Sequence, residues 1–164
     1  MDETPEKLRL LHDDVEREAS AVGGKHGARL RCARGCAACC VDGLTVFEVE
    51  ADAIRQAHGE LLADGAPHPA GACAFLDDEG ACRIYAVRPY VCRTQGLPLR
   101  WFGDDGEYRD ICPLNEPDGP PITALPEEAC WTIGPIEGRL SELQRERGPA
   151  GARVPLRDLF RAGS

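Results

Sequence analysis

Arg31-Cys32-Ala33-Arg34-Gly35-Cys36-Ala37-Ala38-Cys39-Cys40 is the stretch on which the reading of this chain turns. Four thiols fall within nine residues at the spacing C-x3-C-x2-C-C, separated only by alanines, one arginine and one glycine. Such a run has neither helical nor strand periodicity, and it reads as a knuckle loop shaped by what it binds. Its short spacings let three thiolates converge from one turn of backbone, as a soft metal ion or a metal–sulfur cluster requires.

Working outward, Cys73, Cys82, Cys92, Cys112 and Cys130 complete a set of nine cysteines in 164 residues. Seven of the nine lie between Cys32 and Cys92, and the odd total argues against a disulfide framework. Small buried hydrophobes are the bland alternative for such residues. The local density and order favour metal ligation by Cys32, Cys36, Cys39, Cys40, Cys73, Cys82 and Cys92, with Cys112 as an eighth ligand. Cys130, beside Trp131, reads as a core residue. Cys39 and Cys40 are adjacent, so their side chains are expected to point apart, one of them toward a second ion or behind the first. Two four-ligand sites and one larger cluster with spare thiols both remain open.

The flanking elements are short. Leu8, Leu11, Val15 and Ala19 make an apolar stripe that predicts a helix over 5–22, ended by Gly23-Gly24. Thr45 and Glu48 have the form of a capping box, and Val46, Val49, Ala53, Ile54 and Ala57 predict a helix over 46–58. The segment 73–85 reads as a hairpin around Asp77-Asp78-Glu79-Gly80, and Pro89 as the start of a short helix containing Tyr90 to Arg93. Residues 94–122 are expected to be irregular, with a strand near 107–111. Two helices, 125–133 and 136–147, are predicted on either side of Gly134-Pro135, and the tail docks by Val154, Leu156, Leu159 and Phe160. The fold class is therefore small, irregular α+β with a metal-stapled cysteine core. Only nine residues are aromatic, so the core should be poor and a metal site would make up the shortfall.

Charge narrows the function classes. A net charge of −9 argues against nucleic-acid binding, and no apolar run approaches the ~20 residues needed to cross a bilayer. A charged N-terminus without an apolar signal core points to the cytoplasm. The weight of Ala, Gly and Arg over Lys fits a GC-rich bacterial genome. Lys25, Arg29, Arg31 and Arg34 form a basic island on the first cysteines, whereas Asp42 to Gly80 holds nine acids and one base. Guanidinium groups of Arg31, Arg34, Arg83 and above all Arg93 are placed to offset the charge of a thiolate site, about −2 for a tetrathiolate zinc. Arg88 could instead anchor its loop on a carboxylate or on carbonyls. The histidines, His12, His26, His58 and His68, are expected to be solvated, and no acid is singled out as a general base. Tyr85, Pro89 and Trp131 are expected to pack.

The ordered set C-x3-C-x2-C-C, Cys73-Ala74-Phe75-Leu76, Cys82-Arg83-Ile84-Tyr85, Arg88-Pro89, Cys92-Arg93 and Cys112 resembles the YkgJ-type cysteine-cluster family. The resemblance covers about half the chain and implies chelation of zinc or iron by cysteines. It suggests three parts: an N-terminal helix and basic linker (1–30), a cysteine-cluster domain (31–113) and a helical extension (114–164). A related module occurs in the longer flagellin lysine methylases, but this chain lacks a Gly-rich loop after a strand of the kind that binds S-adenosylmethionine. C-x3-C-x2-C is also the spacing of radical S-adenosylmethionine enzymes, which need a strand–helix alternation absent here. An accessory or structural metal module, presenting a surface to a protein partner, is preferred to a metal-dependent enzyme or redox protein. All-thiolate ligation suits zinc and iron–sulfur alike, and the knuckle tilts the choice slightly toward iron–sulfur.

Overall fold

A computed structural model describes residues 1–149 and 151–160. The apolar stripe of the N-terminal segment forms α1 (Thr4–Gly24), which buries Leu8, Leu11, Val15 and Ala19. The Thr45…Glu48 pair does not cap a helix. Thr45–Phe47 is instead a short strand, β1, and α2 (Glu48–Ala57) begins after it with no side-chain cap. The reason is a partner remote in sequence: β1 pairs antiparallel with Arg153–Pro155, and Arg153 Nε donates to the Thr45 hydroxyl over 3.0 Å. A short helix not foreseen, α3 (Gly59–Asp64), follows, and Pro89 stands just ahead of α4 (Tyr90–Arg93) as expected.

The segment 73–85 turns as predicted. Its ladder is a single antiparallel bridge, Leu76 to Cys82, and no longer strands form. Asp77 Oδ1 accepts from the amides of Glu79 and Ala81 at 2.9 and 2.8 Å, and Gly80 closes the turn at φ +78°. Beyond it, β2 (Leu99–Gly103) and β3 (Gly106–Asp110) form a hairpin within a region expected to be largely irregular. The predicted helix over 125–133 is replaced by a 3-10 turn, Glu127–Ala129, and a two-residue strand, β4 (Trp131–Thr132), lying parallel to β2. Pro126 and Pro135 bracket this segment, and hydrogen bonds to Pro98 and Arg100 carbonyls take its amides instead. Pro135 then opens α5 (Pro135–Arg145), close to the helix predicted over 136–147. The tail forms β5 (Arg153–Pro155) and a 3-10 turn, Leu156–Phe160, with Leu156 and Leu159 buried.

The result is a small α+β fold with sheets of two and three strands among the described residues. Its apolar interior is richer than composition suggested, because α2 serves two clusters. One joins α1, α5, Val49, Tyr90 and Trp131. The other gathers Val46, Ile54, Phe75, Ile84, Leu156 and Leu159, and Cys73 and Cys82 pack against it.

Candidate metal centre

Two consecutive turns shape the knuckle: Cys36 N donates to Ala33 O at 2.9 Å, and Cys40 N to Ala37 O at 3.0 Å. The Cys39 and Cys40 thiols lie close enough for a hydrogen bond from Cys40 to shift Cys39, against the expectation that adjacent side chains point apart. Cys73 N donates to Cys40 O over 2.9 Å, which lays the segment before the 77–80 turn against the knuckle. The Leu76–Cys82 bridge then returns Cys82 toward Cys73, and α4 brings in Cys92.

Five thiols are thus joined by electrostatic interactions: Cys40 with Cys39, Cys73 and Cys92, Cys92 also with Cys39, Cys73 and Cys82, and Cys82 with Cys73. The hydrogen bond from Cys40 holds the Cys39 thiol down to about 6. That same bond, then burial and the charges of Cys39, Cys73 and Cys92, drive Cys40 far upward. Burial pushes Cys92 up to about 12, with Cys73, Cys82 and Glu50 adding to the effect. Burial also raises Cys73 and Cys82. Crowded thiols of this kind share protons when no cation is near, and a thiophilic cation reverses the balance. The soft donor set therefore suits zinc or an iron–sulfur cluster. Among the described residues, however, no three His, Cys, Asp or Glu side chains already stand in a group able to hold an ion.

The remaining predicted ligands are Cys32, Cys36 and Cys112. Cys32 is exposed at the start of the knuckle, and its sulfur accepts from Asn115 Nδ2 over 3.6 Å. Cys112 is half-buried, and its carbonyl accepts from Asn115 N at 2.8 Å. Cys36 is half-buried between the two groups in sequence. Cys130 is buried with Leu125 and Ala129, a core residue as expected, and accepts from Arg109 Nη1 at 3.5 Å.

The arginines divide differently from the expectation. Arg83 does lie near the thiols, where its charge lowers Cys73 and Cys82 while its guanidinium bonds the carbonyls of Ala66 and Ala74. Arg93, the foremost candidate, is instead committed to Glu16 at 2.9 Å and to Arg88 O at 2.8 Å. Arg31 pairs with Asp118, and Arg34 acts on Asp77. Arg88 anchors its loop on Glu16 and Tyr85 O, and its charge also reaches Cys82. Arg157 reaches Cys73 from the C-terminal tail, a role invisible at that distance along the chain.

Sequence reasoning also missed a buried acid. Glu50, 3% exposed, accepts from Tyr90 N at 2.7 Å and lies 3.0 Å from His12 Nε2. It thereby holds the first turn of the helix that carries Cys92. His12 is consequently buried, not solvated, and His26 bonds Ala129 O at 2.6 Å. Tyr85, expected to pack, is exposed beneath the Arg88 guanidinium, 4.0 Å from its ring centre.

The sequence model of the CxxCxxCC family, described as a "putative zinc- or iron-chelating domain", matches residues 31–113. The chain belongs to this family. In this CxxCxxCC member the first spacing is C-x3-C, one residue longer than the family name spells. Neither the curated proteins nor the solved structures give a match. Family membership supports a metal-binding role without distinguishing zinc from iron. No described helix is long and apolar enough to cross a membrane.

Proposed function

We propose that Cys32, Cys36, Cys39, Cys40, Cys73, Cys82, Cys92 and Cys112 hold an iron–sulfur centre or zinc, the former favoured. The centre makes residues 31–113 a stapled module of a cytoplasmic bacterial protein. The helices on either side, 1–30 and 114–164, support it, and its surface serves a protein partner rather than a reaction of its own. One observation supports this reading: in a member of a zinc- or iron-chelating family, five thiols from three separate segments are joined through Cys40 and Cys92 by electrostatic interactions. When bound, such a centre supplies a divalent or cluster charge that converts the crowded thiols to thiolates and crosslinks the segments. The chain's own part is to set those segments: Cys73 N on Cys40 O, the Leu76–Cys82 bridge, and Glu50 on the α4 amide.

Purification without oxygen followed by absorption spectroscopy and metal analysis tests this. Brown protein with iron and acid-labile sulfide is the expected result. Colourless protein with stoichiometric zinc keeps the thiolate site and discards the cluster. Folded protein with no metal, unchanged by chelator, removes the reading altogether. In Cys82→Ser, metal content and thermal stability should fall together.

A further inference from the structure

The sulfur of Cys32, at the head of the knuckle, lies in a built cradle. Asn115, 1% exposed, has every side-chain group engaged: Oδ1 accepts from Arg31 N at 2.8 Å, and Nδ2 donates to Gly96 O at 2.8 Å and to Cys32 Sγ at 3.6 Å. The backbone donor at one end and the backbone acceptor at the other fix which way the amide faces, so an N–H is aimed at the sulfur. Opposite, Gly96 adopts φ +90°, and a Cβ there would collide with Cys32 Sγ. Asn115 also ties in Cys112 through its own amide, 2.8 Å from the Cys112 carbonyl.

A buried amide spending one of its two N–H groups on an exposed cysteine is poor use of a donor if that cysteine is a bystander thiol. N–H···S hydrogen bonds do their work on thiolates, where they orient the ligand and stabilise its charge. We infer that Asn115 is a positioning residue for a metal-bound Cys32 thiolate, with Gly96 kept bare to make room for the sulfur. This deepens the proposed function and rests on it. Cys32 and Cys112 thereby enter the metal shell from the 96–115 side of the molecule, through one side chain that no spacing rule in the cysteine motif would indicate.

Full-length wild-type and N115D proteins, purified without oxygen, are alkylated with iodoacetamide and each cysteine is read by peptide mass spectrometry. Asp keeps the shape and the acceptor for Arg31 N but loses both N–H groups. In the wild type, Cys32 should react at least tenfold more slowly with metal bound than after chelation. In N115D that protection should vanish at Cys32 and persist at Cys73, Cys82 and Cys92, an outcome that general loosening of the fold would not give. In the cobalt-loaded proteins, thiolate-to-metal charge-transfer absorbance per cobalt should drop in N115D, and drop likewise in C32S. Protection of Cys73, Cys82 and Cys92 with a fully reactive wild-type Cys32 overturns the inference and leaves the metal reading intact. So does N115D with Cys32 as protected as in the wild type. Protection at no cysteine overturns both.

Discussion

Arg29 shows how single side chains substitute for regular structure around the cysteines. It is 3% exposed, and its guanidinium donates to the carbonyls of Asn115, Glu116 and Pro120 at 2.7, 3.0 and 2.8 Å. The loop after Cys112 has no ladder of its own, so the buried Asn115 carbonyl would otherwise lack a donor, and the Glu116 and Pro120 carbonyls would lose their tie to the core. The fit is close: a Cβ on Gly119 would stand 2.5 Å from Arg29 Nη1. Arg29→Met keeps the apolar stem and removes all three bonds. It should lower the unfolding free energy by about 3 kcal/mol, measured by denaturant titration of metal-loaded protein. Arg29→Lys, able to satisfy fewer carbonyls, should recover part of the loss. A change below about 0.5 kcal/mol in Arg29→Met would show that water reaches the loop. At this scale the cysteine motif of the family was legible, because its spacing is local. Asn115 and Arg29 were not, since a lone Asn or Arg carries no sign of the backbone groups and sulfur it will meet far along the chain.

Among the elements, periodic segments declared themselves and paired ones did not. The stripe Leu8-Leu11-Val15-Ala19 is a property of α1 alone, as is the stripe of α5. β1 and β4 are three and two residues long, and each exists only through a partner: Arg153–Pro155 for β1, and Leu99-Arg100 for β4. Local propensity therefore read Thr45 as a cap and 125–133 as helix, and remote pairing overrode both. The C-terminal turn Leu156–Phe160 makes the same point functionally. From it Arg157 donates to Asp42 Oδ1 at 3.0 Å and to the carbonyls of His68 and Ala72 at 2.7 and 2.8 Å, clamping the loop that leads into Cys73. Asp42 in turn accepts from Gly71 N at 2.9 Å. Arg157→Ala should cost about 2 kcal/mol and accelerate amide exchange across 66–73, with α1 unaffected. Exchange in that loop unchanged from wild type would mean that the Cys40–Cys73 backbone bond holds it unaided.

For the whole molecule, the two apolar clusters differ in their dependence on the cysteines. The cluster of α1, α5, Tyr90 and Trp131 holds twelve buried side chains and no thiol. At about 1.5–3 kcal/mol for each large side chain fully buried, it can support its elements without metal. The other cluster packs directly against Cys73 and Cys82. Residues 31–43 contain no fully buried side chain, and none of them belongs to either apolar cluster. The knuckle's anchors are few bonds, chiefly Cys73 N to Cys40 O and Arg31 N to Asn115 Oδ1. Chelation without oxygen should therefore loosen the chain unevenly. Amide exchange should rise at least tenfold over 32–44 and 71–93, while α1 and α5 keep their protection and Trp131, buried among them, keeps its fluorescence maximum. Trp101, on the exposed β2–β3 hairpin, is best replaced by Phe so that the emission reports Trp131 alone. Uniform loss of protection with a red-shifted Trp131 would show that the metal supports the entire fold. No loss anywhere would show that the backbone bonds and the second cluster hold the thiols together on their own.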